Sequence, residues 1–264
     1  MRNVVMKTLY DKRTFLIGWS VGLLFLGWLM TIFFPSLKSS SGDLIKLTAT
    51  LPPAFAGLVG NLGDLTHPGT YLGSQLFDIR MPIFIAILSI ILGVSLSVTD
   101  EERGGLRVLS ALPISRRSIL LQKWSAVVII TVLAVTFTCA GVVIGLVTIH
   151  ESLDPAVLFR LGSLTALLAV ALSTFILCVG LATGKRSVTM AVGVVVAIGS
   201  FILTTFARSI DWLKDYEKVS LFHYFPAVDV AKGTVTPGNI LVYAAVIVIS
   251  LTAALLVFSR RDIR

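Results

Sequence analysis

The side chains of this 264-residue sequence best suited to bond chemistry are its three histidines, its two cysteines and two spaced carboxylate pairs. His67, His150 and His223 lie far apart, and none stands in a His-Glu-x-x-His zinc pattern or beside a nucleophile elbow. Glu151 with Asp154, and Asp211 with Asp215, have the spacing that puts two carboxylates on one helix face. Both pairs fall in polar connecting segments, where solvation is the expected role. Cys139 and Cys178 sit in apolar stretches without clustered ligands, and read as small buried hydrophobes rather than a disulfide or metal pair. The run Gly180-Leu181-Ala182-Thr183-Gly184-Lys185-Arg186-Ser187 has the glycines and lysine of a phosphate-binding loop. That loop needs four residues between its glycines and Ser or Thr directly after Lys. Here three intervene and Arg186 follows, so a basic turn is expected. No catalytic, cofactor-binding or metal-ligating residue is assigned.

The elements that carry these residues belong in lipid. Hydrophobic residues are 56% of the chain and charged residues 14%, an apolar excess that one soluble core of this size could hardly bury. They gather into six blocks of spanning length: Phe15–Phe34, Met81–Thr99 with its apolar centre at Ile83–Val98, Ser125–Ile149, Leu161–Thr183, Ser187–Phe206 and Ile240–Ser259. None contains Asp, Glu, Lys, Arg or His. The first block ends in Phe33-Phe34-Pro35 without a small-residue cleavage pattern, which predicts a retained helix rather than a signal peptide. The fold class expected is therefore an all-α integral membrane protein of six transmembrane helices in one domain, 1–264.

Lys and Arg near span ends are retained on the cytoplasmic side. With both termini inside, 14 of the 22 Lys and Arg residues lie inside with five of the 14 carboxylates, so the whole +8 excess is cytoplasmic. Flanking lipid spans, these charges suit anionic headgroups or a cytoplasmic protein rather than nucleic acid. The segment 2–13 alternates Val4, Val5, Met6, Leu9 and Tyr10 with basic residues, as in a short helix on the inner surface. Between the first two spans, Pro52-Pro53 and Pro68-Gly69 break 35–80 into pieces, where short interfacial helices are expected. The aromatic-rich 207–239 segment belongs at the outer headgroups, or folds back into the membrane if the protein satisfies its backbone. Gly18 with Gly22, and Gly141 with Gly145, suit close helix crossings.

The inside loop 100–123 is the most informative stretch. Asp100, Glu101 and Glu102 precede Arg103, Gly104 and Gly105; Leu106, Leu109 and Leu112 share one helix side, with Arg103 and Arg107 on another. Acidic residues suit the positive end of the helix dipole, and Pro113 stops the helix. Ser115 is placed to cap the next helix, whose inner end Arg116, Arg117 and Lys123 would anchor.

This order of Glu101, Glu102, Gly104, Leu106, Leu109, Leu112, Pro113, Ser115 and Arg116, followed by Lys123, resembles the cytoplasmic segment of type 2 ATP-binding cassette (ABC-2) permeases. The six spans, the amino-terminal surface helix and the ending Ser259-Arg260-Arg261-Asp262-Ile263 extend the likeness over the chain. Gly105 departs from the pattern, where a small β-branched or hydroxylated residue is more usual. A second glycine costs helix stability of ~1 kcal/mol and leaves the helix start open. The resemblance implies a cell-membrane exporter permease without its own ATPase site. Its implied partners are ABC ATPase subunits, which bind the ATP, and a second copy or paralogue of the permease. ATPase closure would press on 100–117 and turn the paired permeases outward. An ATP-independent carrier or channel is the alternative, although ion-coupled carriers commonly hold a carboxylate at mid-membrane and these spans have none. A membrane enzyme would need a catalytic constellation that the sequence does not offer.

Overall fold

A computed structural model describes residues 4–39, 67–99, 115–207 and 211–260. The helices are α1 (Val4–Asp11), α2 (Arg13–Ile32), α3 (Phe34–Ser39), α4 (Pro68–Thr99), α5 (Arg116–Ile149), α6 (Pro155–Thr183), α7 (Arg186–Ala207), α8 (Asp211–Lys214), α9 (Ala227–Ala231) and α10 (Pro237–Arg260). Six stretches are long and apolar enough to cross a bilayer: Arg13–Ser39, Pro68–Thr99, Arg116–Ile149, Pro155–Thr183, Arg186–Ala207 and Pro237–Phe258. Among the described residues there is no strand. The protein is an all-α, multi-pass membrane protein.

The starts of α2, α5 and α7 and the ends of α4, α6 and α10 share one end of the bundle, termed proximal. The opposite end is distal. Within the described residues the proximal end gathers Lys12, Arg13, Arg116, Arg117, Lys123, Lys185 and Arg186, with Asp11 the one carboxylate among them. The most enclosed helices are α4 and α6. Large apolar side chains of α2, α7 and α10, such as Phe25, Val195 and Leu241, face outward instead, as lipid-contacting positions do.

Two close crossings hold the bundle together, and both run parallel. Gly27 of α2 lies against the backbone of Thr138 and Val142, while Gly141 and Gly145 of α5 receive Leu24, Trp28 and Thr31. A Cβ on Gly141 would stand 2.0 Å from the Leu24 carbonyl oxygen. Gly18 and Gly22, expected at a crossing, meet nothing within 4 Å; Gly27 takes that role because it lies in the buried row with Leu23 and Thr31. The second crossing joins α4 and α6, where Gly93 receives Ile176 and Gly180 receives Ser97.

Helix α4 begins at Pro68, well before the apolar block that marks it in the sequence. Proline at the first helical turn loses no hydrogen bond, so Pro68 starts this helix instead of breaking a loop. Its first turns carry Thr70, Ser74 and Gln75 yet are buried, because protein rather than lipid covers them. The Tyr71 hydroxyl donates to the Met30 carbonyl at 2.8 Å. Two stretches of α4, Gly73–Arg80 and Ser95–Thr99, are wound as wide π turns.

What covers the distal half of α4 is the chain between α7 and α10. Phe222, Phe225, Ala227 and Val230 are buried in the main core, and the Ala227 carbonyl lies on Gly73. Ser220 Oγ donates to the Ser200 carbonyl at 2.8 Å and the Tyr243 hydroxyl donates to the Leu221 carbonyl at 2.9 Å. Ser200 is seven residues inside the end of α7, a depth of about 10 Å at 1.5 Å per residue. The segment therefore folds back against the bundle, with Ser220 and Tyr243 bonded to backbone carbonyls.

The histidines and the Glu151–Asp154 pair have structural work at the distal end, and the glycine-lysine run has it at the proximal end. His67 precedes the first turn of α4, and His150 closes α5 in a left-handed conformation at φ 56°. His223 Nδ1 lies 3.1 Å from Glu217 Oε1. Glu151 pairs with Lys38 at 3.0 Å, and Asp154 caps α6 by accepting the Ala156 N–H at 2.9 Å, so this carboxylate pair does more than solvate a loop. Gly184, at φ 61°, donates its N–H to the Gly180 carbonyl and ends α6, making the glycine-lysine run a helix–turn–helix corner.

Candidate functional site

The proximal end brings α1 and four of the spans together around Thr99 and Ser115, the described residues on either side of 100–114. Ser115 stands in extended conformation before α5, and its Oγ accepts the Ser118 N–H at 3.3 Å, the cap expected of it. Arg116 and Arg117 follow on the exposed first turn. Glu101, Glu102, Arg103, Gly104, Leu106, Arg107, Leu109, Leu112 and Pro113 lie outside the described residues.

Helix α5 is 34 residues long, about 51 Å, which exceeds ~30 Å of hydrocarbon. Its first turns are not free. Ile119 packs on Val4 of α1, and the Val4 N–H donates to Gln122 Oε1 at 2.8 Å, so α1 lies against the start of α5. Gln122 is itself held by donating to Ser118 Oγ at 3.0 Å.

Lys123 differs from the surface anchor expected of it. Its side chain is 3% exposed and Nζ donates to the Leu96 carbonyl at 3.1 Å, within the wide turn that ends α4. A cation at a helix carboxyl end meets the negative end of the dipole, and a charge-assisted bond offsets part of its desolvation. Lys12, at the α1–α2 junction, donates to Ser95 Oγ of the same turn. The wide turn is thus bonded from two sides.

Apolar packing completes this collar. Leu96, Leu120, Val127, Leu177, Leu181, Ala254 and Phe258 form one buried cluster joining the proximal ends of α4, α5, α6 and α10. Trp124 Nε1 donates to Thr174 Oγ1 at 2.9 Å, tying α5 to α6 just above it. Of these contacts the sequence signalled the Ser115 cap and the basic residues. Lys12, Gln122 and the Leu96 carbonyl carried no separate signal, because each acts through a partner distant in sequence.

A second feature is a groove of about 990 Å³ between α5 and α6, running from Trp124 to Ser152. Val132, Cys139, Leu158 and Ala166 represent its lining, and Glu151, already paired with Lys38, is its one charged residue.

The described residues thus form a bundle of six apolar helices of spanning length with a polar collar at one end. The model of the ABC-2 family transporter protein matches residues 2–263. The chain belongs to that family, and is a membrane permease component of an ABC transporter, distinct from the ATPase. A search of curated proteins finds no match.

Proposed function

We propose that this permease is the membrane half of an ATP-driven exporter, with both termini cytoplasmic, and that separate ATPase subunits act on it through 100–117. The permease pairs with a second copy or a related chain, and ATP stays on the partner subunits. The observation that carries this reading is the Lys123 bond to Leu96, which locks the two helices flanking that loop. A push on the loop then moves α4 and α5 as one unit instead of fraying either end. The apolar lining of the α5–α6 groove supports an apolar or amphipathic substrate.

Gentle extraction of tagged permease with an untagged ATPase from the same cells tests it. Copurification is expected, with transport lost in Glu102→Ala and Arg116→Ala variants that still reach the membrane. A permease free of ATPase whose variants transport normally would overturn the coupling reading, and flux in liposomes without ATP would establish a carrier instead.

A further inference from the structure

Between the α1–α2 junction, the end of α4 and the start of α7 lies a crevice of about 230 Å³ at the proximal end of the bundle. Its lining combines Lys12 and Arg186 with the hydroxyl residues Ser95 and Thr99. Ile90, Ile91, Val94 and Met190 supply the apolar part. Among its described lining residues none is acidic. Two cations and two hydroxyls are the donors that a phosphodiester oxygen accepts from, and Lys12, bonded once to Ser95, retains two further N–H groups.

The volume falls below the ~300–1,000 Å³ of sites that enclose a whole small molecule, so it suits a head group whose remainder lies elsewhere. That remainder has a path. Helices α4 and α7 run antiparallel from the crevice towards mid-membrane, with Ile90 packed against Gly193. Along their shared outer face Ile91 and Met190, then Ile87 and Val194 one turn deeper, remain 41, 42, 44 and 40% exposed. The four side chains make a paired apolar track that begins under the cations.

We infer that the crevice is a binding site for an anionic phospholipid, its phosphate held by Lys12 and Arg186 and an acyl chain lying along Ile91, Met190, Ile87 and Val194. Basic pockets between spans hold anionic head groups for this reason, each cation near the surface adding attraction. Because Lys12 also bonds Ser95, occupancy bears on the wide turn at the end of α4. The site stands on geometry alone and holds whichever subunit energises the protein.

Native mass spectrometry of the detergent-purified full-length chain tests it, with added dioleoyl phosphatidylglycerol, dioleoyl phosphatidylcholine or inorganic phosphate. One phosphatidylglycerol per chain is expected to survive activation energies that strip phosphatidylcholine, and millimolar phosphate should not displace it. The K12Q/R186Q variant lowers retention about thirtyfold, at ~1 kcal/mol for each cation. R13Q/K185Q removes two neighbouring charges that do not line the crevice and retains the lipid as wild type does. K12R/R186K restores retention, separating lost charge from lost folding. Equal retention of both lipids, equal loss in the two Gln variants, or displacement by free phosphate would each overturn the assignment.

Discussion

Gly141→Ala is the sharpest test of the bundle's architecture. The added Cβ would lie 2.0 Å from the Leu24 carbonyl oxygen, 2.8 Å from its carbon and 3.0 Å from the Trp28 nitrogen. These are backbone atoms and cannot rotate away. An ordinary carbon–oxygen approach is about 3.3 Å, so α2 and α5 must part there by roughly 1 Å. A gap of ~0.5–1 Å forfeits a quarter to a half of each dispersion contact, and overpacking costs about 1–3 kcal/mol in well-packed interiors. Gly22→Ala is the matched control, since nothing lies within 4 Å of its Cβ position. Both substitutions gain up to ~1 kcal/mol of helix propensity, which cancels in the comparison. Equilibrium unfolding of purified chains in mixed micelles, followed by helical circular dichroism, should therefore place Gly141→Ala about 1–3 kcal/mol below Gly22→Ala. Coincident curves would refute the close crossing.

Two further outcomes follow from single hydrogen bonds. Lys123→Met keeps the apolar stem and removes the bond to the Leu96 carbonyl. Because a buried cation carries its own desolvation cost, coupling rather than stability is the informative readout. Permease-dependent ATPase turnover should fall at least about tenfold, ~1.4 kcal/mol, with copurification of the ATPase preserved, and unchanged turnover would show that the clamp transmits nothing. Ser220→Ala removes an acceptor for the Phe222 N–H at 3.1 Å and the donor to Ser200, at a fully buried site. Leaving such groups unpaired costs about 1–3 kcal/mol, so limited proteolysis between Asp211 and Val219 should accelerate at unchanged global helicity.

The spans were legible because lipid selects composition as well as pattern, and blocks free of charge over some twenty residues have few other uses. The Ser115 cap was legible for a local reason, since acceptor and donor lie three residues apart. Gly141 and Gly145 were found and Gly27 was missed, because small-residue spacing marks several faces of one helix and only packing chooses among them. The first turns of α4 were hidden by their polarity: Thr70, Ser74 and Gln75 are buried by the segment after α7, which hydropathy along one stretch does not register. Lys123 shows the same limit for charge. A lysine at a span's end has the same local sequence whether it faces headgroups or a carbonyl of the neighbouring helix.

The mechanical consequence lies in how α4 is held at both ends. At the proximal end Lys123 and Lys12 bond its wide turn, and Gly180 seats Ser97 with no room for a Cβ. At the distal end the other wide turn bears the fold-back segment, with the Ala227 carbonyl against Gly73. The helix between spans about 45 Å, and the α6 surface that touches it runs through Ala169 and Ile176 to Gly180. In the proposed mechanism a displacement applied at Thr99 would carry α5 through Lys123 and α6 through the Gly93 and Gly180 contacts. In the proposed exporter, force on 100–117 would reach the opposite membrane face as movement of the fold-back segment. On that proposal α4, held at both ends, is the element that would carry hydrolysis on another subunit to the far side.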